Sequence, residues 1–313
     1  MANEVTNAGL IPDLRLARIL NNEIQLLLAD RFSLRTHPAI FNAGNISGRG
    51  SAVISIPQAG LNGYDMMAAP AGAGAGELQA VDNTALTDAS ADITISRFAL
   101  RREISDLANM TDSVGLTAER LAADMVGGYE MAVTNAICDT IDGFTATAGT
   151  TGVDLSVDDF FSALFTLEQA SVRTPYVSVL HPVQVTDLQN SIRAEGGALQ
   201  YIAATQEMLA AKGQGFAGSF LGVDIFKSSK VPTANAGADR AGAMMGYGAV
   251  GMAEGSVRPI SALSGALQFP AGTVIAVEYE RDSSTALTAI TGNSYFGVAI
   301  LQDAMGVSIV SDS

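Results

Sequence analysis

Six residues carry the spacing of a phosphate-binding turn: Gly246-Tyr247-Gly248-Ala249-Val250-Gly251 fits G-x-G-x-x-G. In dinucleotide-binding proteins these glycines let the backbone approach a pyrophosphate where a strand gives way to a helix. Here Gly255 and Pro259 follow at once and leave no room for a full helix. The pattern reads instead as a tight turn between strands, and no cofactor is expected. His37 and His181 are the only histidines, each followed by proline, and Cys138 is the only cysteine. No disulfide can form within the chain, and no His/Cys spacing suits a metal. A Ser/His/Asp triad is assembled in space and leaves no spacing to read, but nothing like G-x-S-x-G marks a nucleophile. Asp158 and Asp159 read as the acidic first turn of a helix, and Cys138 as a thiol packed within one. Asn45-Ile46-Ser47 and Asn109-Met110-Thr111 match the glycosylation pattern, which means nothing without secretion. The residues therefore point away from an enzyme.

Composition points toward assembly. The 313 residues are 48% hydrophobic and only 16% charged, with a formal net charge of −15. A chain with so few charges has more neutral surface than a typical soluble monomer, and contacts between subunits are one place to hide it. Lys212, Lys227 and Lys230 are the only lysines, and no basic run exists. That disfavours nucleic-acid binding as the main task, because affinity for phosphates comes from Lys and Arg. The N-terminus Met1-Ala2-Asn3-Glu4 has no basic leader with an apolar segment behind it. The stretches 259–277 and 283–302 lack charge but are broken by Pro, Gly, Ser, Thr or Asn. The expectation is a chain made in the cytoplasm, without a membrane partner.

The elements that would position these residues follow from periodicity. Residues 12–32 predict a helix, with Leu16, Leu20, Ile24, Leu27 and Leu28 at spacings of three and four. Strand patterns at 52–56 and 92–96 flank a Gly-, Ala- and Pro-rich stretch, 57–91, which reads as an extended two-stranded flap. Such a flap has little core of its own and needs a partner surface. A short helix is predicted at 99–110 and a long one at 116–141, with Leu121, Met125, Tyr129, Val133, Ala136 and Ile137 as its apolar stripe. Gly127 and Gly128 mark a bend or close packing in its middle, and Gly143 is its stop. Ser156 to Asp159 resembles a capping box for a helix running to about Ala170. A strand at 177–180, a helix from Pro182 to Ile192, a helix at 201–211 and strands at 217–228 and 241–250 complete a mixed middle third. The end is β-rich, at 273–281, 294–301 and 306–310, with Gln302 to Met305 as a hairpin-length loop between the last two.

The order of these parts resembles the major capsid proteins of tailed bacteriophages, which share the Hong Kong 97-type shell fold. The similar stretches are Ile104-Ser105-Asp106-Leu107 leading into LTAERLAADMVGGYEMAVTNAICDTIDGF (116–144), and VLHPVQVTDLQNS (179–191). FLGVDIFKSSKVP (220–232), GYGAVGMAEG (246–255) and YFGVAILQDAMGVSIVSD (295–312) are similar too. The resemblance implies an α+β fold with an N-arm (1–40) and an extended two-stranded loop (41–98). It implies a peripheral domain with a long spine helix (99–150), an axial domain (151–262) and a return to the peripheral domain (263–313). It further implies pentamers and hexamers of an icosahedral shell that encloses double-stranded DNA without sequence-specific binding. A virion capsid assembled in the host cytoplasm would follow, with a portal and a decoration protein as further partners. Residues 41–98 contain no lysine, so the Lys–Asn isopeptide links of some members are not expected. Only about forty residues precede the flap, so scaffolding is expected from a separate protein. Arg49, Tyr64, Met66 and Met67 are the expected assembly-interface residues, the methionines because Met adapts to irregular partner surfaces. An encapsulin-type nanocompartment shell shares the fold and stays open as an alternative. An α/β enzyme using the Gly-rich turn and a surface adhesin with a flexible flap are rivals from other classes.

Overall fold

In a computed structural model, the structure describes residues 34–45, 51–57, 90–107, 118–194, 201–213, 215–255, 274–282 and 284–312. The predicted helix at 12–32 lies outside these residues, as do 58–89 of the flap. The strands within them are β1 (Phe41–Asn45), β2 (Val53–Pro57), β3 (Ser90–Thr94), β4 (Ser96–Ser105), β5 (Thr147–Ala148), β6 (Tyr176–Leu180), β7 (Tyr201–Ala203), β8 (Phe216–Phe220), β9 (Val223–Lys227), β10 (Thr233–Ala234), β11 (Asp239–Met245), β12 (Val250–Gly255), β13 (Ile275–Asp282), β14 (Leu287–Ile300) and β15 (Gly306–Asp312). The helices used below are α1 (Ala118–Ile141), α2 (Val157–Gln169), α3 (Pro182–Ala194) and α4 (Gln206–Lys212).

Three sheets result. β1-β12-β14-β13 form one, with β4 on the far edge of β14; β5-β15-β11-β6-β9-β8-β7 form the second, with β10 beside β11; β2 and β3 pair alone. Met125, Tyr129, Val133 and Ile137 of α1 are buried as the apolar stripe requires, and α1 lies against β14. A single buried cluster runs from Met125 and Phe296 under α1 to Phe160, Leu188 and Ile225 under α2 and α3, so both large sheets share one core. α2 opens on a true capping box: the Ser156 hydroxyl accepts from Asp159 N (3.2 Å) while the Asp159 carboxylate accepts from Ser156 N (3.1 Å). Strand β6 is buried at all five positions, as expected for a strand covered on both faces.

Four expectations need correction. Residues 99–105 are strand, not helix: β4 pairs with β14 from Phe98↔Ser294 through Ser105↔Leu287. Leu100 and Ile104 fit a helical spacing, but the ladder with β14 runs the whole length of this strand, and that long-range pairing overrides local propensity. Only Asp106 and Leu107 are helical there, and 108–110 lie outside the described residues. The predicted helix at 201–211 begins as strand β7, paired with β8, and turns helical only after Thr205, whose hydroxyl accepts from Met208 N (3.3 Å). Gln302 to Met305 do not close a hairpin. β14 and β15 belong to different sheets, so the chain crosses from one to the other there. The predicted strand at 217–228 is a hairpin of β8 and β9, turned at Leu221 (φ 53°) and Gly222 (φ 79°), the left-handed pair of a two-residue turn. The segments 151–262 and 263–313 each lend a strand to the other's sheet. β12 pairs with β14 in the smaller sheet, and β15 pairs with β11 in the larger.

Candidate assembly surface

The described residues of the β2–β3 ribbon rest on β12 and β14 of the smaller sheet. Ile54, Ala91 and Ile93 point inward and form a small separate cluster with Ala253 and Leu301. A Cβ on Gly297 would collide with the Thr94 carbonyl, so the glycine lets the ribbon lie directly on β14. Alternate residues Ser90, Asp92 and Thr94 face outward. The expected interface residues Arg49, Tyr64, Met66 and Met67 lie outside the described residues.

The segment ahead of the ribbon is held at two points that periodicity does not reveal. Arg35 donates to Glu254 Oε1 of β12 (2.7 Å), and the Tyr129 hydroxyl of α1 donates to the same oxygen (2.9 Å). The Arg35 guanidinium also sits 5.7 Å from the Tyr129 ring centre. Burial and the Glu254 charge push the Tyr129 phenol well above its ordinary range. Two residues on, His37 is 3% exposed. Its Nδ1 accepts from Ala39 N (3.1 Å), which leaves the proton on Nε2, 3.3 Å from Asp224 Oδ2. Lys212 Nζ holds both oxygens of Asp224 at 2.7 Å, and Phe226 meets the imidazole edge-on. Burial pushes the His37 pKa down, against the pull of Asp224, so the ring is neutral at neutral pH. The two clamps fasten one short segment to α1 and β12 on one side and to β9 and α4 on the other. Sequence reading missed them because Arg35 and His37 lie 94 to 219 positions from the residues they meet.

The remaining residues with chemical potential serve packing. Gly246 to Ala249 form the turn between β11 and β12, as expected, and that turn carries the chain from the larger sheet to the smaller. It runs beside the other crossover: Gly246 N donates to Met305 O (3.0 Å), and Leu301 N donates to Ala249 O (2.8 Å). A Cβ on Gly246 would collide with Val172, one on Gly251 would come within 2.7 Å of Leu301, and one on Gly306 would enter the Phe144 ring. These glycines make room for neighbouring side chains, where a nucleotide fingerprint would make room for a phosphate. His181 sits at the end of β6, its backbone N–H donating to Gln184 Oε1 (3.0 Å), with its pKa lowered by burial and by Arg240. Buried Gln184 also donates to Arg240 O, Ile309 O and Ser311 Oγ, tying α3 to β11 and β15. Cys138 is buried within α1, where burial pushes its thiol up to about 11. A thiol held protonated in this way is a poor nucleophile. Among the described residues, no three His, Cys, Asp or Glu side chains come together to hold a metal. No helix among them is long and apolar enough to cross a membrane.

This arrangement of a ribbon, a long helix under a small sheet and a larger mixed sheet has solved counterparts. With the capsid of Ralstonia phage GP4 the chain aligns over 91% of its length and 90% of that chain, at 13% identity and a TM-score of 0.60. It has a capsid-type fold. The head structure of Helicobacter pylori bacteriophage KHP40 aligns over 88% of both chains at 10% identity and a TM-score of 0.60. The same fold appears in an encapsulin of Synechococcus elongatus, with 90% of this chain and 89% of that one aligned at 13% identity and a TM-score of 0.57. No protein-family model and no curated protein sequence matches the chain. The capsid-type fold is thus retained where sequence identity is low. That is expected when it is held by sheet register and core burial rather than by a motif.

Proposed function

We propose that this chain is a major capsid subunit that assembles with copies of itself into a closed icosahedral shell around double-stranded DNA. The observation that carries this reading is the match to phage capsid chains over about nine tenths of both lengths. The acidic balance of the chain, −15, suits a container that does not hold its DNA tightly. On this reading residues 1–40 are an N-arm, 41–98 an extended loop, 99–150 a peripheral domain, 151–262 an axial domain and 263–313 the return. Arg49, Tyr64, Met66 and Met67 act on the neighbouring subunit. The shell is noncovalent, because 41–98 offers no lysine. A separate scaffolding protein guides assembly in the host cytoplasm, and a portal and a decoration protein complete the virion. Sedimentation of the purified chain, alone and with candidate scaffolding protein, tests the reading. Large closed particles that protect DNA from nuclease when isolated from the producing cell are expected; a species that stays monomeric under both conditions contradicts it.

The encapsulin match supports a second reading, a nanocompartment shell. It predicts particles that contain cargo enzyme in place of DNA, so the same nuclease assay separates the two.

A further inference from the structure

Two surfaces of the larger sheet's helices are complementary to each other and separated within one chain. α2 buries Val157, Phe160, Ala163, Leu164 and Leu167. Its outward face carries Asp158, Phe161, Phe165 and Glu168, spaced by three, four and three residues and therefore on one stripe. Phe161 is 43% and Phe165 64% exposed. Phe161 leans edge-on toward Phe220, with centroids 6.2 Å apart, while Phe165 has no ring partner among the described residues. Neither Asp158 nor Glu168 has an ion-pair partner among them. Two exposed phenylalanines one turn apart form the kind of contiguous apolar patch that marks a contact.

Along the far side of α3 runs a groove of about 660 Å³, lined by Pro182, Thr186, Gln189 and the buried Val185 and Ile192 of α3, and by the buried Phe216 of β8. Exposed cations stand at its two ends. Lys227 is paired in register with Leu180, two residues before α3 begins, and Arg193 lies in the last turn of α3. Among the described residues neither has an ion-pair partner. The α3 positions that face the groove lie opposite Ser191, whose hydroxyl accepts from Val157 N of α2 (3.1 Å). The body of α3 thus separates stripe and groove in a single chain. The stripe from Asp158 to Glu168 spans roughly 15 Å and the groove from Pro182 to Arg193 roughly 17 Å, at the helical rise of 1.5 Å per residue.

We infer that Phe161 and Phe165 of one copy seat in the α3–β8 groove of the next copy, with Asp158 and Glu168 meeting the cations at its ends. The inference rests on the shell reading, because it specifies one contact by which copies meet. The two patches differ, so the contact is head-to-tail and closes into a ring when the rotation allows. Opposed acid–Phe–Phe–acid and cation–apolar–cation patterns also fix the register of the two chains.

Charge reversal tests it in the full-length chain. Asp158→Lys with Glu168→Lys, or Arg193→Glu with Lys227→Glu, should each cut the assembled fraction by roughly tenfold, since facing like charges oppose docking. All four together should restore it, which a merely misfolded variant would not do. Separately, Phe165→Cys with Gln189→Cys should give a ladder of disulfide-linked oligomers under mild oxidation, with the wild type, whose Cys138 is buried, as the control. If the wild type forms shells while both reversals, folded by circular dichroism, match its yield and no ladder appears, the contact is wrong and the shell reading stands. A groove filled by a scaffolding chain, with no ladder, overturns the second-copy assignment in the same way. A wild type that forms no closed particle sinks the shell reading and this contact with it.

Discussion

At the scale of single residues, the chain spends its unusual side chains on positioning. Gly306 shows the logic. Its backbone is extended, at φ −134°, so any residue could adopt it, yet a Cβ there would enter the Phe144 ring. Gly306→Val should therefore destabilise the fold through overpacking alone, by about 2 kcal/mol. Denaturant unfolding would measure this, and an unchanged midpoint would mean that the ring yields. His37 makes a pH prediction. Its folded pKa lies below the ordinary 6.5 because burial disfavours the charged ring. An unfolded chain then binds the proton more readily than the folded one, so the contribution is complete above about pH 6.5 and lost as the pH falls toward the lowered folded value. Stability measured from pH 7.5 down to 5.5 should fall for the wild type and fall less steeply for His37→Gln. Equal slopes would remove His37 as the cause. Sequence showed that Gly246 to Gly251 form a turn, because Pro259 leaves no room for a helix. It could not show that Arg35 meets Glu254 or that His37 meets Asp224, since nothing local links residues so distant.

At the scale of elements, what was legible depended on whether local signals decided the outcome. The capping box at Ser156 and Asp159 is a local device, and α2 starts where it says. Ser156→Ala should cost about 1 kcal/mol, or roughly 1.5 °C in melting temperature for a chain of this size. A scanning-calorimetry shift below half a degree would show that packing alone fixes the helix start. β4 is the opposite case. Ala99 to Ser105 carries both a helical spacing and strand-tolerant residues, and the partner that decides between them is β14, almost two hundred positions away. The loop 302–305 has hairpin length, but length does not reveal that β15 is claimed by β11. Sheet partners at long range are the part of a fold that periodicity leaves open.

At the scale of the whole molecule, one core joins the two large sheets, and two adjacent crossovers, at 246–249 and 301–305, stitch them together. Among the described residues, the Phe161–Phe165 stripe is an apolar surface that stays exposed. The order of elements pointed to the capsid-type fold, while the shared core and the two crossovers depend on strand pairings that no local pattern records. The surfaces that copies share were less legible, since an interface pairs residues of different chains and leaves no spacing in either.

The central claim is that copies of this chain close into a shell. Negative-stain electron microscopy of the purified chain, with and without a co-expressed candidate scaffolding protein, tests that most directly. The account predicts closed shells tens of nanometres across, of uniform diameter when the scaffold is present. A population that remains monomeric in both preparations would contradict it.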